Sequence, residues 1–107
     1  MEEKLLKIIN HYGVNNQQRK LEEEVFELQE AIINAQHNIL FGVCRRPSDR
    51  VIQNIAEEIA DVFVMVCQFK EYYDIDGKDI LKIVNEKIDR QLGRMEDENR
   101  SRNVCKN

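Results

Sequence analysis

The chain has 107 residues, which suits one domain at roughly 100–200 residues per domain. Its 16 Lys and Arg against 20 Asp and Glu give a net charge of −4, which argues against a protein that binds nucleic acid polymers through excess positive charge. At 42% hydrophobic and 34% charged residues, the chain is too apolar to be disordered by composition. No apolar run approaches the roughly 20 residues of a membrane span, and the charged start Glu2-Glu3-Lys4 is no secretory signal.

Four helical segments are predicted, and strand-like alternation is absent, so the predicted fold class is all-α. The predicted helices run over 2–12, from 15 or 16 to 38, from the Pro47-Ser48-Asp49 turn to 73, and from Asp76-Gly77 to 99. Residues 39–49 fit either an extension of the second helix or a loop. We expect one helical domain over residues 1–99 and a polar, disordered tail over residues 100–107.

Apolar residues recur at helical spacing on the second and third helices. The predicted core stripes are Leu21, Val25, Leu28, Ile32 and Ala35, and Ile52, Ile55, Ile59, Phe63 and Val66. The run from Val62 to Cys67 is apolar on every side, which predicts burial on every side. One thin four-helix bundle cannot easily achieve this, so we expect a homodimer or a homotetramer.

The three cysteines are Cys44, Cys67 and Cys105, with neither a CxxC pair nor an accompanying histidine pair. An odd, scattered set of cysteines predicts reduced thiols rather than disulfides or a zinc site. The expected location is therefore the cytoplasm.

Two carboxylates of the second helix lie beside its apolar stripe. With Leu21 at zero and ~100° per residue, Glu24 falls at ~300° and Glu27 at ~240°. Glu23 and Glu30 fall near ~200° and ~180°, on the side that faces water. Glu24 and Glu27 therefore form a pair, one turn apart, on one flank of the stripe.

The third helix repeats this arrangement. With Ile52 at zero, Glu58 falls at ~240°, between Met65 and Phe69, and Asp61 follows at ~180°. A lone buried carboxylate is costly and would normally protonate. Two carboxylate pairs that meet by packing offer another solution, a shared divalent cation. The alternative is that both pairs are ordinary solvated helix faces.

The kind of cation follows from the ligands. Carboxylate oxygens without nearby His or Cys favour Mg²⁺ or Mn²⁺ over zinc or copper. The two histidines, His11 and His37, do not have the Glu-x-x-His spacing of di-iron bundles.

The last helix carries three cations beside its apolar face, which is formed by Ile80, Val84, Ile88, Leu92 and Met95. With Ile80 at zero, Lys87 falls at ~340°, Arg94 at ~320° and Arg90 at ~280°. By itself this row fits a solvated surface. Together with an acidic metal site it fits the binding of phosphate chains.

These residues resemble the MazG-like family of nucleotide pyrophosphohydrolases, within the all-α NTP pyrophosphatase superfamily. The family pattern is Glu-Glu-x-x-Glu, a spacer, and Glu-x-x-Asp. Here it stands as Glu23-Glu24-Val25-Phe26-Glu27 and Glu58-Ile59-Ala60-Asp61, and the resemblance covers roughly Lys20 to Arg94. The spacer is at the long end of the family's range.

The resemblance implies a four-helix fold and Mg²⁺-dependent cleavage of an NTP or dNTP to the monophosphate and pyrophosphate. The implied metal ligands are Glu24, Glu27, Glu58 and Asp61. Glu24 or Glu27 would also orient or deprotonate the attacking water. The implied phosphate-binding residues are Lys87, Arg90 and Arg94.

Two other interpretations stay open. Phosphoribosyl-ATP pyrophosphatase is an enzyme of similar size and motif, and hydrolysis of phosphoribosyl-ATP but not of dNTPs would favour it. A non-catalytic helical interaction module would show neither a Mg²⁺-dependent thermal shift nor pyrophosphate release. The aromatic residues His11, Tyr12 and Phe41 could stack on a base, but each also fits a core or surface position.

Overall fold

The computed structural model describes residues 1–42 and 45–105, which form four helices and no strand. The predicted all-α fold class is thus confirmed. The helices are α1 (Glu2–Tyr12), α2 (Val14–Leu40), α3 (Asp49–Tyr72) and α4 (Gly77–Cys105). The chain divides into two compact units, residues 1–74 with α1 to α3 and residues 75–107 with α4. The prediction of one domain over residues 1–99 stays a prediction.

The helix boundaries follow from local side-chain and backbone chemistry. Gly13 alone separates α1 from α2, at φ 89° and ψ 146°, a conformation that essentially only glycine adopts. Its N–H donates to the carbonyl oxygen of Ile9 at 2.8 Å and so caps α1. Ser48 caps α3, because its hydroxyl accepts from the N–H of Val51 at 3.3 Å. Asp76 precedes α4, and its carboxylate accepts from the N–H of Lys78 at 2.9 Å.

Two helices extend past their predicted ends. α2 continues to Leu40, and residues 41–42 form a turn, so the helical alternative holds only for the start of the segment 39–49. α4 continues to Cys105 instead of ending near Asn99 before a disordered tail. No glycine or proline follows Gly93 up to this point, so nothing in the sequence stops the helix. Residues 43–44 and 106–107 lie outside the described residues.

The first unit is held by α3, which packs against both α2 and α1. The buried residues of α2 are Gln17, Glu24, Ala31 and Ala35. They recur at intervals of seven, seven and four, so they share one helix face. The predicted stripe of α2 is therefore wrong in part: Val25 and Ile32 are exposed, and Leu21 and Leu28 are half-buried. The residues of α2 that are buried in the interface are thus small or polar, while more hydrophobic neighbours are exposed.

A similar correction applies to α3. Its buried residues are Met65 and Gln68, whereas most of the predicted stripe is exposed, including Phe63 at 62%. Burial on every side of the run 62–67 is wrong for this single chain. Cys67 is a free, half-buried thiol. Cys44 and the side chain of Cys105 lie outside the described residues.

The second unit is the single helix α4, and its residues from 77 to 103 are all exposed. The exposed residues include the predicted apolar face, Ile80, Val84, Ile88, Leu92 and Met95. None of the helices in the described part of the chain combines the length and the hydrophobicity that a membrane span requires.

Candidate active site

Helices α2 and α3 bring three of the predicted carboxylates together. Glu24, Glu27 and Glu58 each offer one carboxylate oxygen, and these oxygens lie within 4.8 Å of one another. Glu24 is only 7% exposed, Glu58 is half-buried, and Glu27 is open to solvent. The group therefore extends from the α2–α3 interface to the protein surface.

The position of this group follows from the buried face of α2. Glu24 lies seven residues after Gln17 and seven before Ala31, so it points into the same interface as these two residues. Glu27, one turn later, lies beside Glu24 at the edge of that face. Glu58 reaches the pair from α3.

The described residues only partly pair the negatively charged oxygens of this group. Lys20 Nζ lies 3.1 Å from Glu24 Oε1 and 3.7 Å from Glu23 Oε2. The other oxygen of Glu24 and Oε2 of Glu58 are buried and have no hydrogen-bond partner among the described residues. Buried carboxylate oxygens are normally paired, because loss of hydration is otherwise uncompensated.

The crowding of negative charge affects the pKa of Glu27. Its pKa is raised, chiefly by the negative charge of Glu24, with desolvation and the charge of Glu58 adding to the effect. In the same region, the hydrogen bond and charge of Glu24 raise the pKa of Lys20. The group therefore favours the presence of a positive charge.

The donor set fits a divalent cation. Three carboxylates supply the hard oxygen ligands that Mg²⁺ and Mn²⁺ prefer. Two of these carboxylates, those of Glu24 and Glu58, also carry the buried oxygens that lack partners. These two properties favour an ion site over an ordinary solvated helix face.

The other predicted site residues lie apart from this group or on the second unit. Asp61 follows Glu58 by one turn on α3, is exposed, and is not part of the group of three. Lys87, Arg90 and Arg94 are exposed residues of α4. Their roles as metal ligand and phosphate-binding residues stay predictions.

Three polar residues of α2 and α3 were not predicted from the sequence to belong near the site. Lys20 supplies the positive charge beside Glu24. Gln17 and Gln68 form a buried hydrogen bond, in which Gln17 Nε2 donates to Gln68 Oε1 at 2.7 Å. The seven-residue spacing from Gln17 to Glu24 could have indicated a shared face, but no pattern in the sequence pairs Gln17 with Gln68.

The comparison with protein families decides the assignment. The family model of the MazG nucleotide pyrophosphohydrolase domain matches residues 14–93. The chain belongs to the MazG family. No curated protein and no solved structure matches the chain at a significant level. The MazG match begins at the first residue of α2 and includes every predicted site residue except Arg94, which lies one residue beyond its end; α1 lies outside it.

Membership of the MazG family indicates a general class of activity. The MazG domain is one of nucleotide pyrophosphohydrolases, so the family assignment indicates this general activity. It also fits the acidic group, because metal dependence is typical of the family. The predicted family resemblance is thus confirmed.

Proposed function

We propose that this MazG-family protein is a Mg²⁺-dependent nucleoside triphosphate pyrophosphohydrolase that converts an NTP or dNTP to the monophosphate and pyrophosphate. The observation that carries the proposal is the group of Glu24, Glu27 and Glu58, with two buried oxygens that lack partners. The family match supports the same activity in its general form.

In this proposal Glu24, Glu27 and Glu58 would hold Mg²⁺, with Mn²⁺ as a substitute, and Asp61 would complete the ligand set. When bound, the cation supplies Lewis-acid polarisation of the phosphate oxygens. The half-buried position of Glu58 and the burial of Glu24 restrict water around them, which strengthens their attraction for a cation.

Hydrolysis requires a base for the attacking water. Water attacks the α-phosphorus, the bond between this phosphorus and the oxygen bridging to the β-phosphate breaks, and pyrophosphate leaves. Glu24 or Glu27 takes the proton of the water. Exposure favours Glu27 for this role, because Glu24 is buried and already paired with Lys20.

The substrate phosphates need positive partners. We assign this role to Lys87, with Arg90 and Arg94, from their match to the basic last helix of the family. Cations at these positions would neutralise charge that develops on the leaving pyrophosphate.

We also propose a homodimer or homotetramer in the cytoplasm. Large apolar side chains are exposed on α3 and α4, among them Phe63 and Leu92. Exposed apolar patches of this kind are typical of interfaces between protein chains. The cytoplasmic location rests on the scattered cysteines and on the nucleotide substrate.

The test is a pyrophosphate-release screen over NTPs, dNTPs and damaged nucleotides, with and without Mg²⁺. Glu58→Gln should abolish release while circular dichroism shows unchanged helix content. Glu57→Gln is the matched control, because Glu57 is an exposed neighbour on the same helix. It should keep full activity.

Three outcomes would contradict the proposal. Full activity of Glu58→Gln would overturn the metal site. Hydrolysis of phosphoribosyl-ATP without hydrolysis of any NTP or dNTP would assign the protein to phosphoribosyl-ATP pyrophosphatase instead. Absence of both pyrophosphate release and a Mg²⁺-dependent thermal shift would favour a non-catalytic interaction module.

A further inference from the structure

A second feature of the first unit is a cleft between α1, α2 and α3. Its volume is about 600 Å³, within the range of about 300–1,000 Å³ that small-molecule sites occupy. Residues that line it include Ile8, Tyr12, Gln17, Lys20, Met65 and Gln68. Asn16, Arg19 and Glu23 line it as well, so the apolar residues Ile8, Val64 and Met65 are accompanied by a majority of polar and charged side chains.

The polar groups in the cleft are unusually buried. Gln17 is 6% exposed and Gln68 is 2% exposed. Gln17 Nε2 donates to Gln68 Oε1 at 2.7 Å, and Gln68 Nε2 donates to the sulfur of Met65 at 3.6 Å. These two bonds use one hydrogen of each amide, so each nitrogen keeps a second one. The carbonyl oxygen of Gln17 is the acceptor in neither bond, so Gln17 offers both a donor and an acceptor.

The cleft lies next to the carboxylate group on the same helices. Lys20 lines the cleft, and its Nζ is 3.1 Å from Glu24 Oε1. Gln17 precedes Glu24 by seven residues, about 10 Å along the helix axis at 1.5 Å per residue. A sugar and one phosphate can bridge this distance, so one nucleotide can reach both places.

We propose that this cleft binds the nucleobase of the substrate, an inference that rests on the proposed function. Gln17 hydrogen-bonds the edge of the base, because an amide matches the adjacent donor and acceptor that bases present. Tyr12, whose side chain is 57% exposed at the cleft, stacks on the base. Gln68 positions the Gln17 amide. Tyr12 precedes the family match, so this part of the site is not set by the MazG motifs.

The test is Gln17→Met, which keeps the length and flexibility of the side chain and removes its hydrogen bonds. The ratio of kcat/KM between the best and worst nucleotides should fall by about tenfold, as expected for loss of one hydrogen bond to the substrate. The loss should appear in KM, while the Mg²⁺-dependent thermal shift stays unchanged. Gln18→Met is the matched control, because Gln18 is exposed on the same helix.

An unchanged kcat/KM ratio in a folded Gln17→Met protein would overturn the inference. The bond between Gln17 and Gln68 would then only fix the register of α2 against α3. Tyr12→Ala provides a second test that does not disturb the buried pair. It should raise KM for nucleotides at least threefold and leave the binding of inorganic triphosphate unchanged. Equal KM values for Tyr12→Ala and the wild type would contradict base stacking.

Failure of the proposed function is distinguishable from failure of this inference. A wild-type protein that releases no pyrophosphate overturns the function, and nucleoside monophosphate binding, followed by NMR titration, then decides the cleft. Binding by the wild type and Gln18→Met, but not by Gln17→Met, supports the base site. Equal binding by all three proteins, or binding by none, overturns it.

Discussion

The ammonium group of Lys20 lies 3.1 Å from one carboxylate oxygen of Glu24, while the other oxygen of Glu24 is buried without a partner among the described residues. Glu24 is thus half satisfied by the protein itself. In our proposal, Lys20 and a divalent cation act on the same carboxylate, and each reduces the electrostatic gain available to the other.

Substitution of Lys20 should therefore tighten metal binding. We expect Lys20→Gln to lower the Mg²⁺ concentration at half-saturation about threefold, because a competing positive charge is removed. Calorimetric titration measures this change. Lys7→Gln, an exposed substitution on α1, serves as the control. A midpoint equal to or higher than that of the control would contradict the competition.

The effect of Glu58→Gln on stability should depend on whether metal is present. Without Mg²⁺ we expect its free energy of unfolding to rise by about 1 kcal/mol, because one of three crowded negative charges is removed. For a chain of this length this corresponds to a melting temperature about 4 °C higher. With Mg²⁺ the variant should gain no further stability. A lower melting temperature than the wild type in metal-free buffer would show that repulsion does not dominate.

The raised pKa of Glu27 predicts how stability depends on pH. Its ordinary value is 4.5, and the value in the folded protein is higher, so the folded state binds more protons above pH 4.5. Without metal, the free energy of unfolding should therefore fall as the pH rises from 4.5 through the raised pKa of Glu27. The stabilisation by Mg²⁺ should grow over the same pH range. Thermal unfolding in a pH series tests both trends. Glu27→Gln should flatten this part of both profiles, and persistence of the trends in that variant would assign them to another group.

Lys87→Gln tests the phosphate-binding role on α4. We expect kcat/KM for nucleoside triphosphates to fall at least tenfold, since a positive charge that contacts phosphate is lost. Lys82→Gln is the matched control, because Lys82 is also exposed but lies ~140° away around the helix. Similar losses in both variants would indicate a general effect of charge rather than a specific contact.

The exposed apolar residues predict self-association. Light scattering after gel filtration should give two or four times the chain mass of 12.7 kDa. Leu92→Asp places a charge on the apolar face of α4 and should lower the mass if that face is buried between chains. A wild-type protein of single-chain mass at micromolar concentration would contradict the proposed assembly.

The helix pattern was largely predictable because its signals are local. Gly13 and Ser48 mark boundaries through a backbone conformation and a side-chain cap, and both act within a few residues. The buried faces were less predictable. The side chains that face each other across α2 and α3 are chosen by fit between two helices, so Ala35 and Gln17 are buried while Ile32 is exposed.

Much of the candidate site was visible in the sequence because carboxylates at intervals of three share a helix face. Glu24, Glu27 and Glu58 come together in the structure. The partnership of Gln17 with Gln68 was not visible, because it joins residues 51 positions apart in the chain and neither belongs to a motif.

The short helix α1 has a consequence for how this protein can change over time. It supplies Tyr12 to the cleft but none of the three clustered carboxylates, and Gly13 alone connects it to α2. On the proposed assignment, mutations in eleven residues could retune which base is accepted while the hydrolytic chemistry is inherited intact. Selectivity and reactivity would then evolve as separable traits.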